Sequence, residues 1–331
     1  MSRLPESPPG DAPEYLAVAD LRPLGQTGLR VTPICVGTSP LAGMPGLYGY
    51  NVPASRAEAT IQAVLDGPLN FLDTSNNYGE GRAERRIGAV LRRHGGLPDG
   101  VVLATKVDAD PVTGDFSGER VRRSVAESLE RLGLDRIQLM YLHDPEYHLS
   151  FAEAMAPDGP VAALVALRDE GVLQHLGIAS GPVELTRQFL ATEVFQVVLN
   201  HNRYTLVDRS AEPLIQDAYD RGVGFVNAAP YGGGILVKGP EAQPRYAYRS
   251  PSDAVLGAVH EMRRVCAAHR IPLAAAALQF SLRDRRIAAT VVGVSSPERI
   301  TATLDLACRE IPAAVWDELA ALAPGPEHWL H

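Results

Sequence analysis

Residues 69–82 read LNFLDTSNNYGEGR. The first half, from Leu69 to Leu72, is a short apolar run suited to a buried strand, and it stops abruptly in a polar, glycine-flanked loop. Asp73 opens that loop and Tyr78 lies further along it. A helical pattern resumes at Ala83, so the stretch is one strand–loop–helix unit. How often the unit recurs decides the fold.

Upstream, residues 21–31 (LRPLGQTGLRV) form two short halves around a Gly-containing turn, as a small hairpin would, and residues 33–37 (PICVG) give the first buried strand. Downstream, strand patterns recur at 101–106 (VVLATK), 137–143 (IQLMYLH), 176–180, 195–200, 224–228 and 288–293. Helical patterns separate them at 57–65, 83–93, 119–132, 161–169, 183–190, 211–221, 254–269 and 272–282, and 297–307 closes the series. Strictly alternating strands and helices demand parallel pairing, and eight such units predict an α/β fold, a (β/α)8 TIM barrel with a short N-terminal β-hairpin. The alternative, a doubly wound sheet, would carry a G-x-G-x-x-G turn after its first strand, and GTSPLAGMPGLYG (37–49) lacks that spacing.

Hydrophobic residues make up 46% of the 331-residue chain and charged residues 21%, an ordinary globular balance. A net charge of −8 argues against a nucleic-acid partner, because phosphate recognition needs clustered Lys and Arg. Arg85, Arg86, Arg92 and Arg93 cluster at helical spacing and read as a solvated helix face. Cys35, Cys266 and Cys308 are odd in number and far apart, so neither a disulfide framework nor a cysteine-rich zinc site is expected, and a cytoplasmic location fits. Residues 1–20 read as a flexible leader, and 21–331 as a single barrel domain. No signal-sequence core and no long apolar run occur, so no membrane association is expected.

In a barrel of this type function sits at the carboxyl ends of the strands. Those ends carry Asp73, Lys106, His143, Ser180, Asn200 and Asn227, with Tyr78 on the loop after the second strand. Taken singly, a surface Lys, an Asx turn at Asp73 and a turn at His143-Asp144-Pro145 would explain them. Jointly they make a coherent site. A phenol has a pKa near 10, and an adjacent ammonium lowers it. Lys106 is expected to supply that charge, Asp73 to orient Lys106, His143 to hydrogen-bond the substrate oxygen, and Tyr78 to act as general acid or base.

DTSNNYG (73–79), LATK (103–106) and YLHD (141–144), in this order, resemble the catalytic tetrad of the aldo-keto reductases, and the likeness runs from the hairpin to the last helix. It implies an NAD or NADP coenzyme bound in extended form, and hydride exchange with a carbonyl or carbinol carbon. It further implies that Ser180 holds the nicotinamide carboxamide, although Gly181 stands where the family usually has Asn. The family's sixth-strand Gln is absent, with Leu199 or Asn200 near its place. Ala228 replaces the aromatic residue that stacks on nicotinamide, and either Tyr231 takes over the stacking or nothing does. The run Gly232, Gly233 and Gly234 is either a flexible loop or, with backbone amides free to face an anion, a border of the pyrophosphate. Ser295 and Ser296 border the adenosine phosphate, Ser296 being also the N-cap of the last helix. Arg299 is the cation left for a 2′-phosphate, since Gly293 and Val294 offer none, which favours NAD slightly.

VLNHNRYTLVD (198–208) and NAAPYGGGIL (227–236) resemble the sugar-oxidising branch, the aldose 1-dehydrogenases, with pyridoxal 4-dehydrogenase nearby. A sugar or aldehyde substrate is therefore expected. The alternatives are a broad aldehyde and ketone reductase, or a coenzyme-binding regulatory subunit without catalysis.

Overall fold

The computed structural model describes residues 20–247 and 249–330. The leader read over residues 1–20 lies, Asp20 apart, outside the described residues. A two-stranded antiparallel hairpin, β1 (Arg22–Pro23) and β2 (Arg30–Val31), precedes eight parallel strands. These are β3 (Ile34–Gly37), β4 (Phe71–Asp73), β5 (Val102–Val107), β6 (Ile137–His143), β7 (Leu173–Ala179), β8 (Val197–His201), β9 (Gly224–Ala228) and β10 (Ile287–Gly293). They close in sequence order, with β10 pairing back onto β3, as a barrel ringed by helices.

Pleating explains which side chains reach the site. On β5, Val102 and Ala104 join the barrel interior, whereas Leu103 and Val107 pack outward under the helices. Period two therefore puts Lys106 on the inner face, at its carboxyl end. The same count on β4 follows Phe71 with Asp73, and on β6 follows Leu139 and Tyr141 with His143. Leu24 and Val31 of the hairpin pack into the interior cluster from the opposite end, and Gln26 donates its backbone N–H to Gly222 O at 3.0 Å. The floor is thus closed and the chemistry faces the other rim.

Two differences from the sequence reading stand out. Strand β7 begins at Leu173, because Leu173 is buried and pairs with Ile137, where the apolar pattern alone suggested 176. A helix at Ala313–Ala321, not anticipated, buries Val315 and Leu319 against the helix Asp253–Ala268. No single described helix is long and apolar enough to cross a membrane.

Two helices, Arg82–His94 and Gly118–Leu132, meet at Gly88, where a methyl group would lie inside the contact radius of the Arg131 carbonyl oxygen. Gly88→Ala is expected to lower stability by about 1–3 kcal/mol, overpacking outweighing the better helix propensity of Ala. Chemical denaturation checks this; an unchanged or raised midpoint would contradict it.

Candidate active site

The loop leaving β4 is stitched along β5. Thr74 N–H donates to Ala104 O at 2.9 Å and Asn76 N–H to Lys106 O at 3.2 Å, while Arg131 holds Asn76 O at 2.9 Å. Tyr78 is thereby brought over the end of β5. Lys106, 1% exposed, uses its three N–H groups on Asp73 Oδ1 (2.6 Å), Thr74 O (2.6 Å) and the Tyr78 hydroxyl oxygen (3.2 Å). Because the phenol oxygen accepts from Lys106, its own hydrogen is free to point elsewhere.

The expected lowering of the Tyr78 pKa is corrected by this environment. Burial first, then the charges of Asp73, Asp108 and Asp144 and the neighbouring Tyr48 hydroxyl, push the phenol well above its ordinary range. Nearest-neighbour reasoning from Lys106 alone misses those carboxylates. Tyr78 rests as a phenol, a proton donor.

His143 stands edge-on to Tyr78, with ring centroids 6.0 Å apart. Its Nδ1 donates to Asp108 Oδ1 at 2.6 Å, and Ser75 Oγ lies 3.2 Å from the same nitrogen. Asp108 Oδ2 accepts from the Ser75 hydroxyl and from Asn77 N–H at 2.9 Å. On the other side His143 Nε2 is 3.7 Å from Asp144 Oδ2, and His201 Nε2 is 3.7 Å from Asp144 Oδ1. Burial opposes charge on His143, yet Asp108 and Asp144 overcome it against Lys106 and raise its pKa. Asp144 is correspondingly lowered to about 2: burial acts against ionisation, and His143, His201 and Lys106 outweigh it. Asp108, Asp144, Ser75 and His201 did not figure among the expected site residues. Asp108 lies two residues past Lys106 and His201 one past Asn200, so extending each strand end by two residues would have included both, without saying that they face His143 and Asp144.

Ser180 and Asn200 are buried side by side: Asn200 Nδ2 donates to Ser180 O at 2.8 Å and to Gly181 O at 2.9 Å, leaving Asn200 Oδ1 buried without a hydrogen-bond partner. Glu146 accepts from Ser180 Oγ at 3.0 Å and from Gly181 N–H at 2.8 Å. A Cβ at Gly181 would crowd Arg203, Glu146 and His201, so this trio fills the place of a larger side chain there. After β9, Tyr231 packs on two hydrophobic clusters and lies close enough to Arg299 to feel its charge. The amides of Gly232 and Gly234 donate to Ala229 O and Tyr231 O, at 3.0 and 2.9 Å, in a short 3-10 turn. The expectation of amides free to face an anion is corrected for these two glycines. Ser295 is partly buried and Arg299 exposed. Ser296 does occupy the N-cap, with Pro297 next, but its hydroxyl makes no bond to the helix backbone and interacts with Glu298 instead.

The family model described as the aldo/keto reductase family matches residues 33–324. This chain belongs to that family. The aldo-keto reductase is 33% identical to D-threo-aldose 1-dehydrogenase of a Pseudomonas species, over 82% of this chain and 89% of that one. It is 29% identical to pyridoxal 4-dehydrogenase of Microbacterium luteolum, covering 92% and 98%, and 31% identical to L-galactose dehydrogenase of Arabidopsis thaliana, covering 85% and 86%. It is an NAD(P)-dependent oxidoreductase.

The residues of this aldo-keto reductase suit a nicotinamide coenzyme in one specific respect. The buried, unpartnered Asn200 Oδ1 is an acceptor for an amide N–H, and an unpaired buried acceptor is costly unless a ligand pairs it. Ser180 differs from the expectation in that its hydroxyl is already held by Glu146.

Proposed function

We propose that this aldo-keto reductase exchanges hydride with an aldose, oxidising the cyclic hemiacetal to a lactone, with Tyr78 as the proton-transfer group. The observation that carries the reading is the 3.2 Å contact from Lys106 to the Tyr78 oxygen, with Asp73 behind it. The bound nicotinamide dinucleotide supplies the hydride acceptor or donor, and Ser180, Asn200, Tyr231, Gly233, Ser295 and Arg299 would hold it. The chain's own residues handle the proton. In oxidation the anomeric hydroxyl proton passes to the Tyr78 oxygen; in reduction the Tyr78 proton passes to the carbonyl oxygen. Lys106 stabilises the phenolate, and His143 hydrogen-bonds the substrate oxygen.

Two features support a hydroxylated substrate: the likeness to aldose dehydrogenases, and a wall of Asp144, Glu146 and His201 whose ligand atoms lie within 4.8 Å of one another beside His143. Such a wall suits several hydroxyl groups better than an apolar aldehyde. NAD is favoured over NADP, because Gly293 and Val294 at the end of β10 carry no charge, which leaves Arg299 on the following helix as the cation of that segment. Pyridoxal is a second substrate within the same reading.

Carbonyl reduction is the competing direction, and one observation favours it: burial, then the neighbouring carboxylates, keep Tyr78 protonated, which is the form that gives up a proton in reduction, whereas oxidation needs the phenolate. Both directions are tested by a coenzyme-by-substrate screen with L-fucose, D-arabinose, L-galactose, pyridoxal and methylglyoxal, followed by nicotinamide absorbance. Sugar oxidation with NAD is expected, its rate rising toward alkaline pH as Tyr78 sheds its proton. Reduction of methylglyoxal with no turnover of any free sugar would overturn the aldose assignment.

A further inference from the structure

The imidazole of His143 is held from both sides by carboxylates, and the two contacts differ in kind. Asp144 is an ion-pair neighbour at 3.7 Å, partly open to solvent. Asp108 is nine-tenths buried and hydrogen-bonded at 2.6 Å, and both of its oxygens are fixed, one by His143 Nδ1 and the other by Ser75 and Asn77. A carboxylate cannot donate, so the proton in the 2.6 Å bond sits on Nδ1 and the Nε2 edge is the one left for the substrate side. We propose that Asp108 is a positioning residue for the reaction, fixing the His143 ring and holding it as an imidazolium so that Nε2–H donates to the substrate oxygen.

A neutral acceptor, such as a backbone carbonyl, would be enough to orient the ring. A buried carboxylate does more, because burying its charge is costly unless a cation accompanies it. The cationic partner bonded to the Asp108 carboxylate is His143 itself; Arg120 Nε donates to the Asp108 main-chain carbonyl at 3.2 Å instead. Every charged or titratable group facing His143 enters the balance. Asp108, beyond β5, and Asp144, beside it, favour the imidazolium; Lys106 opposes it; Tyr78 meets the ring edge; His201 shares Asp144. The direction of the shift, upward despite burial, agrees with the geometry. The catalytic consequence rests on the reading that His143 contacts the substrate oxygen. The charge state of His143 does not.

Histidine-selective NMR titration of the coenzyme-free protein, with His143→Gln identifying the signal among the nine histidines, measures that charge state directly. The wild-type His143 midpoint is expected above the ordinary histidine value near 6.5. Asp108→Asn should bring it down by about 1–3 in pH, the effect of losing an opposite charge at close range. The alkaline limb of carbonyl reduction against pH should move down with it, Asp108→Glu should restore both, and Ser75→Ala, which keeps the charge, should leave the midpoint close to wild type. A wild-type midpoint at or below the ordinary value, readable even if Asp108→Asn does not fold, overturns the proposal. So does an Asp108→Asn protein that loses rate or stability while midpoint and limb stay in place. Absence of turnover with every sugar and aldehyde would instead overturn the proposed function, and the titration would still decide the role of Asp108.

Discussion

Tyr78→Phe lowers turnover by about 10²–10⁴-fold, the range of a positioned acid or base, and leaves coenzyme affinity in place. The substitution is unusually clean here. The Phe ring keeps the edge contact with His143 and the Lys106 ammonium 4.8 Å above the ring centre, so packing survives. Lys106 keeps Asp73 and Thr74 O and loses one acceptor of three. The structural loss is then about one ordinary hydrogen bond, roughly 1 kcal/mol, which thermal melting separates from the catalytic loss. A Tyr78→Phe enzyme retaining most of its rate in both directions would place the proton transfer on another group, with His143 the first candidate.

Lys106→Met acts on both stability and chemistry. Asp73 is 3% exposed, and its carboxylate accepts from the Lys106 ammonium, so removing the cation leaves an uncompensated buried carboxylate. The expected cost is about 3–5 kcal/mol, together with loss of turnover as the phenolate loses its counter-charge. Adding Asp73→Asn removes the stranded charge. The double variant should therefore recover much of the stability and none of the activity, a non-additivity that denaturant titration of the wild type, the two single variants and the double variant measures directly. If the double variant is no more stable than Lys106→Met, the pair holds the site by shape and not by charge.

The barrel was legible because its signals are local and repeated. VVLATK and IQLMYLH are apolar on both faces, as strands covered by helices must be, and each ends in an ionisable residue at an inward count. What escaped depended on three-dimensional neighbours. Asp108 lies one residue beyond β5, and nothing in VDAD says which of its acids turns inward toward a histidine on the next strand. The state of Tyr78 was misjudged because one cation is visible in LATK, whereas the burial of the phenol, and with it the joint action of Asp73, Asp108 and Asp144, exists only once strand ends and loops are folded over one mouth. Three glycines in a row announce conformational freedom; that two of their amides are taken by Ala229 and Tyr231 is a property of the turn they form. Glu146 reaching Ser180 and Gly181 was likewise unreadable, because Glu146 lies 34 residues before Ser180.

The pleat that turns Asp73, Lys106 and His143 inward has an evolutionary corollary. Each sits on a different strand of a closed ring, where a slip of one residue would send its side chain out among the helices and break pairing on both edges. The proton machinery is thus inherited as a fixed block. The stretches around it, such as 44–51, 145–160 and 239–247, lie outside the barrel strands and are free to lengthen, shorten and change character. Divergence in what such a protein accepts can proceed by loop exchange, while how it moves a proton stays the same across its descendants.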